Sequence, residues 1–143
     1  MLSELEHGLG YVFRDKGLLT NALTHSSYAN ENRDRGIHDN ERLEFLGDAI
    51  LGFVVAEYLY RNLPGKPEGE LTRIRADLVC EKNLAKQADT IHLGDFLLLG
   101  HGEEQGGGRK RASIVSDAME SVIAASYMDG GFEAAKGIID RLI

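Results

Sequence analysis

Apolar residues recur every three or four positions over most of this chain, and the polar breaks between them divide it into a succession of helices. In the longest segment Leu43, Leu46, Ile50, Val54 and Tyr58 keep this spacing, predicting a helix from 41 to about 61 with those side chains as its buried stripe. Asn40 is placed to cap it, and Pro64-Gly65-Lys66-Pro67 ends it. Upstream, Ser3 followed by Glu6 reads as a capping box that opens a short helix stopping near Gly8 and Gly10. Asp15 caps a second helix through Leu18, Leu19, Ala22 and Leu23. Between 25 and 40 the periodicity lapses, which predicts a loop. Further helices are expected at about 70–79 and 81–90, with a break near Cys80, and at 112–129 and 132–143 on either side of Gly130-Gly131. The run Asp95-Phe96-Leu97-Leu98-Leu99 is too short to decide between states, and the glycine-rich stretch 100–111 predicts a mobile loop. No internal repeat and no linker divides the chain. The pattern is that of one all-α domain.

Composition narrows the class. With 143 residues and 43% hydrophobic content, the chain has the material for one sizeable core. No apolar run approaches the ~20 residues of a membrane span, and the acidic start Met-Leu-Ser-Glu-Leu-Glu is unlike a signal peptide, so no membrane partner is expected. A single cysteine, Cys80, forbids an internal disulfide and makes a reducing, cytoplasmic location the default. The formal net charge of −7 argues against a generic nucleic-acid coat protein.

The distribution of that acidity changes the picture. Glu41, Glu44 and Asp48 stand at i, i+3 and i+7 of the long helix, within one ~60° arc of its surface. Asp117 and Glu120 stand at i, i+3 of the penultimate helix, with the small residues Ser113 and Ala124 on the same face. Like charges at this spacing repel, so either the faces are merely solvated or the two helices share an acidic pocket that needs a cation. Arg42 points away from the arc. If the cation is a metal, all-oxygen ligands select Mg²⁺ or Mn²⁺ over zinc, which would want Cys or His. A di-iron bundle needs paired Glu-x-x-His segments, and only Glu4-Leu5-Glu6-His7 fits, once.

Other motifs carry less. His38-Asp39 has the order of a metal-phosphohydrolase dyad but falls in a loop just before a helix cap, where that chemistry needs the pair on a helix with further histidine partners. Thr24-His25-Ser26-Ser27 sets a histidine beside hydroxyls, for which helix-end capping is the simpler role. The stretch from Gly100 fails the G-x-G-x-x-G pattern at Gln105. Its basic cluster Arg109-Lys110-Arg111, like Arg73 and Arg75, is either a set of phosphate contacts or a solvated basic surface.

The segment Asn40-Glu41-Arg42-Leu43-Glu44-Phe45-Leu46-Gly47-Asp48-Ala49 resembles the signature of the ribonuclease III family. Leu23-Thr24-His25-Ser26-Ser27-Tyr28-Ala29-Asn30-Glu31 precedes it, and Glu68-Gly69-Glu70-Leu71-Thr72-Arg73-Ile74-Arg75-Ala76 and Ser113-Ile114-Val115-Ser116-Asp117-Ala118-Met119-Glu120 follow, in the family's order. The resemblance covers residues 1–143 as a bacterial-type endonuclease domain, without the C-terminal double-stranded-RNA-binding domain that members usually carry. It implies an all-α, homodimeric, Mg²⁺-dependent endonuclease of double-stranded RNA, with Mn²⁺ able to substitute. It makes Glu44, Asp48, Asp117 and Glu120 the catalytic metal ligands, and Glu41 and Glu68 additional acidic residues of the cleavage valley. Phe45 matches the aromatic that plugs a socket on the partner subunit; the alternative is an ordinary core phenylalanine.

The chemistry so implied is in-line hydrolysis leaving 5′-phosphate and 3′-hydroxyl ends, with short 3′ overhangs set by the two-fold dimer. Recognition would be by the shape of A-form RNA, in rRNA and transcript processing. The competing classes are a scaffold that binds duplex RNA without cutting it and a purely structural helical dimer.

Overall fold

The segment Ala112–Gly130 (α8) is apolar on nearly every side, and such a helix is stable only when surrounded. In a computed structural model describing residues 1–143, it is the central element. Ile114, Val115, Ala118, Met119, Val122, Ile123 and Ala125 are all buried within it. Around it stand α2 (Lys16–Ala22), α4 (Glu41–Asn62), α6 (Glu81–Asp89) and α9 (Phe132–Leu142), the pair α4–α8 being the most extensive. The helix α5 (Glu68–Val79) lies on α4, and α1 (Leu2–Leu9) on α9. Two further helices, α3 (Ser26–Glu31) and α7 (His101–Gln105), join at one end of the bundle. There is no sheet; Thr24 and Leu98 form one isolated parallel bridge. No helix is long and apolar enough to cross a membrane.

The all-α architecture and the order of its long helices agree with the sequence pattern, and Asp15 caps α2 by accepting from Gly17 N at 2.9 Å. Several local expectations are corrected. The first helix begins after Met1 rather than at Ser3, and Glu6 is not a capping partner. Its buried carboxylate accepts from Phe13 N at 2.7 Å and Lys16 Nζ at 2.6 Å. Asn40 precedes α4 without capping it; Asp39 accepts from Glu41 N at 3.0 Å, and the Asn40 amide donates to the Ala22 carbonyl at 2.9 Å.

The stretch 25–40 is not wholly loop. His25 Nδ1 accepts from Ser27 N at 3.1 Å and starts α3, and a 3₁₀ turn follows at Arg33–Arg35. The glycine-rich stretch 100–111 is structured as well: Glu31 accepts from His101 N at 2.7 Å, capping α7, and Gly108–Lys110 form another 3₁₀ turn. Both segments are short and held by bonds to distant residues and by local caps, which leave no periodicity to detect. The undecided run near 95 is a 3₁₀ turn, Leu93–Phe96, leading into the Leu98 bridge.

The buried stripe of α4 agrees with the expected one at Val54, with Leu43 and Ile50 packed at its margin, and is otherwise shifted around the helix. Its fully buried residues are Gly47, Leu51, Val54, Val55 and Leu59, whereas Leu43, Leu46 and Ile50 are half-buried and Tyr58 is 58% exposed. The helix is apolar on two sides, so two stripes satisfy a 3.6-residue period. Packing against α8 selects one. The other, running through Phe45, Ala49, Phe53 and Tyr60, faces outward.

Candidate active site

The two carboxylate faces meet along the α4–α8 seam. Oxygens of Glu44, Asp117 and Glu120 lie within 4.8 Å of one another. Glu41, Glu44, Phe45, Asp48 and Glu120 line an open depression of about 580 Å³. Glu120 is only 9% exposed, Glu44 and Asp117 are half-buried, and Glu41 and Asp48 stand at the rim.

What allows the approach is Gly47. A Cβ at this position would lie 1.8 Å from the Glu120 carbonyl oxygen, so the two backbones touch where the carboxylates gather. The small residues noted on α8, Ser113 and Ala124, do not make this closest approach. Counting charges along the sequence misses Gly47. Its signal is that mid-helix glycine costs about 1 kcal/mol against alanine, so its presence in the longest helix calls for a packing reason.

No basic side chain pairs with this cluster. The ion pairs of the chain are Lys16–Glu6, Arg61–Glu57, Lys66–Glu70, Arg109–Glu104, Arg111–Glu103 and Lys136–Asp140. The consequence is protonation. Burial, then Asp48, Glu44 and Asp117, pushes the Glu120 carboxyl up to about 8. Burial, with Asp117, Glu41 and Asp48, raises Glu44. Asp117 is raised by burial and Glu81, with Glu44 and His25 partly opposing. A cluster of oxygens with no lysine or arginine partner and a penalty on ionisation fits a hard divalent ion.

The sign of this effect predicts a pH dependence. Glu120 keeps its proton in the folded chain up to about 8 but loses it near 4.5 when unfolded, so stability falls as pH rises through that window. Glu44 and Asp117 act in the same direction. In EDTA, the melting temperature is expected to fall between pH 5 and pH 8, and saturating Mg²⁺ to restore more of it at pH 8 than at pH 5. A melting temperature that rises over this interval without metal contradicts the assignment.

The remaining candidates are dispersed. Glu68, the first residue of α5, lines a separate groove of about 440 Å³ with Phe53, Leu59, Tyr60, Leu71 and Arg75. Within one chain it does not reach the cluster, because α5 lies along the far half of α4. Phe45 is 81% exposed, which excludes the core reading. Arg73, Arg75 and Lys110 are exposed. His38 and Asp39 serve the entry to α4, where Asn21 donates to both their carbonyls at 3.0 Å.

The Arg109 guanidinium is engaged within the chain. Nη1 donates to the carbonyls of Gly94, Asp95 and Leu97 at 3.0, 3.2 and 2.8 Å, and the other nitrogens grip Glu104. Arg111 pairs with Glu103 at 2.9 Å and leaves part of its surface open. Arg109→Ala should therefore lower the melting temperature by several degrees, about 1–2 kcal/mol. Lys110→Ala, a change at an exposed side chain, should leave the melting temperature within about 1 °C of wild type. Fluorimetric melting separates the two.

The chain is thus an all-helical domain that gathers carboxylates where Gly47 lets two helices touch. A family model described as ribonuclease-III-like matches residues 15–143. The chain belongs to that family. It is 52% identical over 137 residues to ribonuclease 3 of Pelotomaculum thermopropionicum, covering 96% of this chain and 57% of the relative. To ribonuclease 3 of Caldanaerobacter subterraneus it is 52% identical over 139 residues, covering 97% and 60% respectively. The nuclease domain of ribonuclease III from Campylobacter jejuni superposes with a TM-score of 0.93 at 48% identity, covering 100% of this chain and 96% of that one. The chain thus spans about three-fifths of the length of these curated relatives and nearly all of the solved nuclease domain.

Proposed function

We propose that this chain is the catalytic domain of a divalent-metal-dependent endonuclease that cuts double-stranded RNA into 5′-phosphate and 3′-hydroxyl products with short 3′ overhangs. The observation that carries this is the convergence of Glu44, Asp117 and Glu120 within 4.8 Å, with Asp48 beside Glu120 and no basic side chain to neutralise them, in a chain of this family. Those four residues would hold Mg²⁺, for which Mn²⁺ would substitute. The bound ion supplies an activated water and stabilises the leaving 3′-oxygen. The residues themselves set charge and geometry: Glu120 is held by the backbone contact at Gly47, and Glu41 extends the acidic wall along α4. The ribonuclease III relatives support RNA as substrate, and the wide, shallow minor groove of A-form RNA suits recognition by shape. Processing of rRNA and other transcripts in the cytoplasm is the role we assign.

The same reading makes the chain a homodimer. The outward stripe of α4 exposes Phe45, Phe53 and Tyr60 at 81%, 59% and 77%, and the solved Campylobacter structure is described for a region involved in dimer formation. Phe45 of a second copy would seat in the groove walled by Phe53, Leu59, Tyr60 and Leu71. That docking would carry Glu68, on the groove's edge, to the neighbouring copy's carboxylates. Phe45→Ala is expected to shift sedimentation toward monomer while leaving the monomer's fold intact, since the side chain is exposed within one chain. An unaltered dimer would remove Phe45 from the interface.

The deciding experiment incubates a long RNA duplex with the protein and Mg²⁺, with EDTA and DNA-duplex controls, and analyses the ends. Metal-dependent cuts confined to RNA support the proposal. Binding without cleavage points to a scaffold, and neither binding nor cleavage to a structural dimer. With little excess positive charge, the domain should bind RNA weakly and with steep salt dependence.

A further inference from the structure

We infer that Ser121, through the main-chain carbonyl of Asn40, is a positioning residue that sets the carboxylates of α4 against those of α8; this rests on the metal-site reading above. The Asn40 carbonyl accepts two bonds. One comes from Glu44 N at 2.9 Å, the first turn of α4, and the other from Ser121 Oγ at 3.1 Å, across the seam. A single oxygen atom therefore ties the backbone of Glu44 to the residue that follows Glu120.

Both ends of this link are anchored. Asn40 is 7% exposed, its N–H donates to the Thr24 carbonyl at 3.0 Å, and its side-chain amide donates to the Ala22 carbonyl at 2.9 Å. Ser121 is fully buried. A mid-helix serine ordinarily turns its hydroxyl back to the carbonyl four residues earlier, here that of Asp117 at 2.9 Å. This hydroxyl also reaches the neighbouring helix, and it has one proton to share between the two carbonyls.

The second fixed point of the seam is the contact of Gly47 with the Glu120 carbonyl. Glu44 lies between Asn40 and Gly47 on α4, and Glu120 lies beside Ser121 on α8. Two contacts, one polar and one steric, thus govern how α4 is rotated and shifted on α8. Binding sites need their groups held within about 0.5 Å, by packing and by supporting hydrogen bonds together.

Removing the hydroxyl should not unfold the chain. The Asn40 carbonyl keeps its bond from Glu44 N, and alanine is an equally good core residue. The test is Mn²⁺ titration of metal-free protein at pH 7.5, followed by paramagnetic resonance of the free ion. Ser121→Ala is expected to bind Mn²⁺ about 10-fold more weakly, with a melting temperature within about 2 °C of wild type, the size of effect seen when partners that orient metal ligands are removed. Ser121→Thr, which returns the hydroxyl, should recover most of the affinity. Wild-type affinity in Ser121→Ala, alongside loss of binding in Glu120→Gln, overturns the inference and leaves the metal site standing. Affinity and melting temperature falling together in Ser121→Ala, with no recovery in Ser121→Thr, also overturns it by reducing Ser121 to a packing residue. If wild type itself does not bind Mn²⁺, the underlying site reading fails, and this inference with it.

Discussion

Glu120→Gln is expected to abolish cleavage of duplex RNA, by at least about 100-fold, while making the metal-free protein more stable at alkaline pH. Both effects follow from one cause. Glu120 is the most buried member of a cluster with no lysine or arginine partner, and its carboxyl is pushed up to about 8 by burial and by Asp48, Glu44 and Asp117. At pH 8 and above the folded chain must carry this charge in a buried position beside three other carboxyl groups. Glutamine keeps the volume and removes the charge, so the fall in melting temperature between pH 5 and pH 8 should flatten. On the proposed metal-site reading the same change removes an oxygen ligand, so the stabilisation by Mg²⁺ should shrink with the activity. Cleavage gels, with thermal melts in EDTA and in Mg²⁺, read both. Near-wild-type cleavage would sink the site assignment; a retained pH slope would show that Glu120 is not the group being forced to ionise.

Gly47→Ala should destabilise the chain by about 3 kcal/mol or more, roughly 10 °C in melting temperature, despite alanine's better helix propensity. Propensity favours the substitution by about 1 kcal/mol. Opposing it, the new Cβ would sit 1.8 Å from the Glu120 carbonyl oxygen, a backbone atom that cannot swing aside. Relief requires α4 to move off α8, which breaks the packing of both helices and spreads the carboxylates. Gly52 is the control. It lies in the same helix, with nothing within 4 Å of where a Cβ would stand, so Gly52→Ala should be neutral or stabilising by up to about 1 kcal/mol. Opposite signs at two glycines five positions apart would isolate the steric effect; equal effects would refute it.

The long helices and the carboxylate pairs were legible because both rest on the 3.6-residue period. Glu41, Glu44 and Asp48, like Asp117 and Glu120, fall on one face by spacing alone. Short elements were not: α3 and α7 are too brief for a period and are capped by His25 and Glu31, and the Glu31 bond to His101 spans 70 positions of sequence. Arg109 shows the same limit for charge. Its position among basic residues reads as an anion contact, yet three carbonyls and Glu104 occupy its guanidinium.

The sequence by itself determined that this is one all-α domain with two carboxylate-bearing helices and a motif pattern resembling one endonuclease family. Local spacing carries that much, because side-chain direction along a helix follows from residue number. Only the tertiary structure decided which apolar stripe of α4 is buried, that Gly47 brings Glu120 against Glu44, that Glu68 stands apart from the single-chain cluster, and that Phe45 faces outward. Those outcomes depend on how backbones distant in sequence meet. A contact such as that of Gly47 with Glu120 leaves no period in the chain.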